Sequence, residues 1–139
     1  MKREISVDWI DGLAFETDID GHKITIDGPE ESGGKNRGTR PKPLMLLALA
    51  GCTGMDVVSI LKKMKVDVKG LNIRVEGDME EELPKTFLSM HVVFTFKGDD
   101  LPVDKLERAV ELSREKYCGV SLMLKKIIPI TYEIKTESV

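Results

Sequence analysis

The sequence predicts an α+β domain, and three observations carry that assignment. Short stretches of strict polar–apolar alternation occur at both ends of the chain. A single long apolar run, Leu44–Leu61, stands between them. Two segments with apolar residues at helical spacing then separate the last strands. A chain of 139 residues suits one domain, 1–139, and can bury a core without disulfides or metal to hold it. Aromatic residues make up only 5% of it, so that core must be built from Leu, Ile, Val and Met.

The N-terminal segment REISVDWI places Ile5, Val7 and Trp9 on one side, the period of a half-buried strand. Asp11-Gly12 turns the chain, LAFETDI resumes the extended pattern, Asp20-Gly21 turns it again, and HKITID alternates once more. The expectation is a three-stranded antiparallel meander. GPEESGGKNRGTRPKP follows, with four glycines and three prolines, and reads as a loop long enough to be functional. Pro43 suits the first turn of a helix, where a missing N–H costs nothing. From Leu44 that helix is apolar all round for about two turns, which predicts burial on every side. Lys62 and Lys63 close it, where positive charge complements the helix dipole. VKGLNIRVEGDM and KTFLSMHVVFTFKG alternate as a long hairpin. PVDKLERAVELSREKY is a helix with Pro102 near its first turn. CGVSLMLKKI is a second short helix after a bend at Cys118-Gly119, and ITYEIKTE is a closing strand. A chain this small has too few strands to cover a helix apolar on all sides. The surplus surface calls for a partner, and a two-fold homodimer is the default closed solution.

Charge narrows the function classes. Lys+Arg number 21 against 24 Asp+Glu, a net charge of -3, without the basic excess of a nucleic-acid binder. The opening MKREISVDWIDG has no long apolar stretch, so no secretory signal is expected. Asp56, Gly51 and Gly54 interrupt the Leu44–Leu61 run, which favours a core helix over a membrane span. The expected protein is soluble and cytoplasmic, binds neither nucleic acid nor membrane, and needs no cofactor. His22 and His91 have no ligand-spaced neighbour, so no metal is expected. Asp56 is expected to cap or hydrogen-bond locally. There is no phosphate-binding glycine motif, HExxH or GxSxG.

The chemistry that remains rests on two cysteines, Cys52 and Cys118. A thiol reacts as thiolate, and an apolar helix opposes that ionisation, so a reactive Cys52 needs a cation. Arg37 and Arg40 lie in the loop just before the helix, and a guanidinium stays charged when partly buried. Cys118 opens a helix, where free N–H groups favour an anion, and could act as a resolving thiol. Cys52 thiolate would attack the outer oxygen of a hydroperoxide to give a sulfenic acid. Cys118 would then form the disulfide, and an external dithiol would restore both thiols. Two inert, packed cysteines are the competing reading.

ALAGCTGMDVVSILKKMK and SREKYCGVSLMLKKIIPITYEI together resemble the OsmC/Ohr family of osmotically inducible and organic hydroperoxide resistance proteins, specifically its OsmC-like branch. The resemblance covers nearly the whole chain. It implies an OsmC-like fold, with antiparallel strands wrapped around a long buried central helix in an intertwined homodimer, and active sites at the interface. It implies Cys52 as peroxidatic and Cys118 as resolving cysteine, organic hydroperoxides as substrates, and a dithiol reductant, possibly lipoyl-type. One departure stands out. Family members that act on hydroperoxides carry a glutamate opening the helix that holds the arginine over the thiolate. Here the segment is RPKPLML, and no carboxylate occurs between Glu31 and Asp56. Arg37 and Arg40 are the arginines offered by loop position, with Lys42 as an alternative cation. The departure favours a second reading, a non-peroxidase binding or carrier protein that uses Cys52 for a small electrophile or a sulfane sulfur. A third is a purely structural dimer.

Overall fold

Alternation at the N-terminus folds into β1 (Asp8–Asp11), β2 (Ala14–Ile19) and β3 (His22–Ile26), an antiparallel sheet in that order. Ile19 pairs with His22, which leaves a two-residue turn at Asp20-Gly21. Both turn residues have positive φ, 49° and 82°, as a primed hairpin turn requires. One expectation fails here. The strand begins only at Asp8, so Ile5 and Val7 lie outside it, and Ile5, Val7 and Trp9 are all exposed.

This sheet and the glycine-rich loop form the first of two compact units, 1–45 and 46–139, in a computed structural model that describes residues 1–139. The loop is packed tightly on β3. Thr39 forms an isolated parallel bridge with Ile26, and a Cβ at Gly38 would collide with the Thr25 carbonyl. Only glycine lets the two backbones approach so closely.

The second unit is built on the long helix α1 (Pro43–Lys63), which starts at the boundary. Leu49, Thr53, Val57 and Leu61 recur every four residues and form its buried stripe, with Gly54 beside it. A Cβ on Gly54 would lie 2.7 Å from Ile73 Cδ1, so helix and sheet meet closely there. The expected burial on every side is not met within one chain. Leu47, Met55 and Val58 are 64%, 77% and 55% exposed, because the chain's own core reaches only one face. By length and composition alone α1 could cross a membrane.

β4 (Gly70–Met79) and β5 (Phe87–Lys97) form the expected antiparallel hairpin. β6 (Ile130–Glu137) then pairs with β5 in parallel, which corrects the expected all-antiparallel arrangement. The cause is the connection. Parallel neighbours need a crossover of a dozen or more residues, and α2 (Val103–Leu112) and α3 (Gly119–Leu124) lie between the two strands. The even-numbered residues of β5 (Met90, Val92, Phe94, Phe96) join Leu49, Val57 and Leu61 of α1 and Leu106, Ala109 and Val110 of α2 in one core.

The expected single helix through Tyr117 is interrupted. Residues Ser113–Tyr117 form one π-helical turn, in which Cys118 N–H donates to the Ser113 carbonyl five residues back (2.8 Å). Such turns are rare and concentrate at functional sites.

Candidate functional site

Cys52 and Asp56 are one helical turn apart on α1 and therefore share a face. Both are half-buried. Cys118 is fully buried and caps α3, its Sγ accepting from the Ser121 N–H at 3.4 Å. The fold brings the three together. Cys52 Sγ, Cys118 Sγ and an Asp56 carboxylate oxygen lie within 4.8 Å of one another. Burial pushes the Cys118 thiol up from its ordinary value. Its hydrogen bond with Cys52 adds to that, and the Ser121 N–H and hydroxyl pull the other way.

A buried polar relay supports the cluster. The Ser113 hydroxyl donates to Asp56 Oδ2 (3.2 Å) and lies 2.8 Å from Thr53 Oγ1. A serine has one proton to give, so Thr53 must be the donor of the second bond. Thr53 and Ser113 are both fully buried. Asp56 thus bonds across the fold, to the residue that opens the π-helical turn, and not locally as expected. The one proton of the Ser121 hydroxyl is shared between the carbonyls of Cys118 (3.1 Å) and Arg114 (3.4 Å), both within hydrogen-bond reach, which ties the turn to α3.

Sequence reasoning did not select Thr53, Ser113 or Ser121. Their one signal was polarity at positions where the helical period demands burial. The Arg114 guanidinium lies 4.7 Å over the Tyr132 ring, and burial raises that tyrosine's pKa. The groove lined by Val58, Leu61, Val66 and Leu71 lies at the far end of α1, and neither sulfur lines it.

In the first unit Arg37 is oriented by two carboxylates that the sequence did not reveal as its partners. Its Nε donates to Asp27 Oδ2 (3.2 Å), and its terminal nitrogens form a forked pair with Asp11 (2.5 and 3.3 Å). Such two-pronged pairs are strong and directional. Asp27 also accepts from the backbone N–H groups of Gly28 (2.7 Å), Lys35 (3.2 Å) and Arg37 (3.1 Å). Burial pushes the Asp27 carboxyl up, but those N–H groups and the Arg37 side chain outweigh it and hold it at about 2. The hydrogen bond from Arg37 lowers the Asp11 carboxyl. The carboxylates that orient Arg37 thus come from the first sheet and its end, not from the start of the helix. Arg40 donates to Asn36 Oδ1 (2.9 Å) and to the Gly38 carbonyl (3.0 Å).

The family model described as OsmC-like protein matches residues 33–133. The chain belongs to the OsmC-like family. Among its curated relatives, Protein YhfA of Escherichia coli (strain K12) is 40% identical over 127 residues, covering 91% of this chain and 92% of YhfA. Among solved structures, a hypothetical protein from Aquifex aeolicus VF5 superposes with a TM-score of 0.87 at 27% identity, covering 100% of this chain and 98% of that one. An organic hydroperoxide resistance protein OsmC from Legionella pneumophila superposes with a TM-score of 0.66 at 19% identity, covering 96% and 97%. At that identity the likeness is one of fold. This OsmC-like chain thus shares its architecture with a protein named for hydroperoxide resistance.

Proposed function

We propose that this OsmC-like protein is a cytoplasmic, thiol-dependent peroxidase that reduces organic hydroperoxides. The observation that carries the reading is the approach of Cys52 and Cys118 to within 4.8 Å. Nothing in their sequence separation requires it, and a disulfide needs it. Cys52, the more accessible sulfur, is the attacking group. Its thiolate takes the outer oxygen of ROOH, the O–O bond breaks, and the departing alkoxide takes up a proton to leave as ROH. Cys118, buried and held as the thiol, is the resolving group. Its sulfur displaces hydroxide from the sulfenic acid, its proton completes a water molecule, and the Cys52–Cys118 disulfide forms. A dithiol, possibly lipoyl-type, donates two electrons and two protons, restores both thiols and leaves as its own disulfide.

In the cycle Arg37 or Arg40, with Lys42 as the alternative, supplies the cation beside the Cys52 thiolate. The exposed apolar stripe of α1 through Leu47, Met55 and Val58 is the surface on which a second copy docks to form the homodimer. At about 25 cal/mol per Å², an apolar stripe of that kind favours burial over hydration.

The second reading is a carrier that holds an electrophile or sulfane sulfur on Cys52 without turnover. The helix start RPKPLML favours it, because no carboxylate there seats a cation beside Cys52.

Mixing the reduced protein with organic hydroperoxide and a dithiol separates the two. Consumption of peroxide that is lost in Cys52→Ser, with sulfenic acid trapped on Cys52 in Cys118→Ser, supports the peroxidase. A stable adduct on Cys52 of the wild type, without turnover, supports the carrier.

A further inference from the structure

The peroxidase cycle has no use for Asp56. A carboxylate one helical turn from Cys52 and within 4.8 Å of both sulfurs adds a third anionic ligand where the cycle wants a cation. Three such ligands around one point suit a bound metal ion. We infer that, in the reduced protein, Cys52, Asp56 and Cys118 form a three-ligand site for a thiophilic divalent cation of the zinc class.

Geometry supports the class. Zn–S bonds of about 2.3 Å at a tetrahedral angle place two sulfurs about 3.8 Å apart, and a carboxylate oxygen slightly closer. The three atoms lie within 4.8 Å of one another, so side-chain rotations that draw each pair in by about 1 Å complete the site. Two thiolates select against Mg²⁺ and Ca²⁺, which take all-oxygen shells. Three protein ligands leave a fourth position open for water.

The outer groups fit as well. Ser113 donates to Asp56 Oδ2, and the Ser121 N–H donates to Cys118 Sγ. Metal ligands are commonly fixed in this way by a second layer of hydrogen bonds. Metal binds thiolate, so uptake displaces any proton still held on the sulfurs. The site stands on the reduced thiols and does not depend on peroxide chemistry.

Anaerobic titration of the reduced, full-length protein with Co²⁺, followed by displacement with Zn²⁺, tests it. The expected result is one ion per chain, a sulfur-to-cobalt charge-transfer band, and bleaching by Zn²⁺. Cys52→Ser should weaken or remove the band. Ser113→Ala, which keeps every ligand, should lower the affinity about 10–100-fold. Its fold is checked by circular dichroism. No sulfur band in the wild type overturns the inference. So does a band unchanged in both Cys52→Ser and Asp56→Asn. Peroxide-driven disulfide formation, measured in chelator-treated protein, stands or falls separately. Metal binding without a disulfide sinks only the peroxidase, and a disulfide without metal binding sinks only the metal site.

Discussion

Thr53 and Ser113 are the most informative pair to perturb, because both are fully buried and their hydroxyl oxygens are 2.8 Å apart. Thr53→Val keeps the side-chain shape and removes the donor. Ser113 still has Asp56 as its acceptor, so the loss is one net hydrogen bond, about 1 kcal/mol. Ser113→Ala is the harsher change. It leaves the Thr53 hydroxyl buried with no partner and takes the donor from Asp56, at a cost of about 1–3 kcal/mol. The double variant removes both ends of the buried bond, so the orphaned hydroxyl disappears with it. Its cost should therefore fall short of the sum of the two single changes by about 1 kcal/mol. Urea unfolding followed by circular dichroism reads this at one fixed protein concentration, since the stability of any oligomer depends on concentration. With a slope of ~1–3 kcal/mol per M, a coupling of that size moves the midpoint by about 0.3–1 M. Additivity of the two single changes would refute the relay, and with it the account of how Asp56 is held beside the sulfurs.

Two further predictions concern titration. The folded Asp27 carboxyl sits at about 2, below its ordinary 3.8. Its contribution is therefore complete above about pH 4 and is lost as pH falls through about 2. The amide resonances of Gly28, Lys35 and Arg37 should report that transition by NMR, and Asp27→Asn should abolish it; an unchanged transition in the variant would contradict the assignment. Cys118 is buried and its thiol is raised by burial and by Cys52, so it should alkylate after Cys52 at neutral pH and catch up only at alkaline pH. Peptide mapping after timed iodoacetamide treatment measures the order, and faster labelling of Cys118 at neutral pH would reverse the proposed roles.

The elements were legible because alternation and helical period leave their mark on each residue. Asp20-Gly21 announced its hairpin, and Pro43 and Lys63 bound α1 as the sequence suggests. Strand direction was not legible. ITYEIKTE alternates identically whether β6 runs with β5 or against it, and the crossover through α2 and α3 decides the matter. The π-helical turn hid inside SREKY, which reads as ordinary helix until the Cys118 N–H is seen to reach Ser113. Composition singled out both cysteines, but their approach depends on the packing of α1 against the α2–α3 corner. Arg37 was visible as a loop arginine. Its partners Asp11 and Asp27 were not, since one lies far along the chain and the other looked like the end of a strand. Cys52 and Asp56 shared a helical face from the outset, yet only the arrival of Cys118 makes that face a site.

The most direct measurement is a non-reducing peptide map of the wild-type protein after one equivalent of an organic hydroperoxide. The account predicts a single cross-linked peptide pair joining Cys52 to Cys118, lighter by two hydrogens than the separate thiols and reversed by a dithiol. Both cysteines recovered as free thiols, with the peroxide intact, would contradict it.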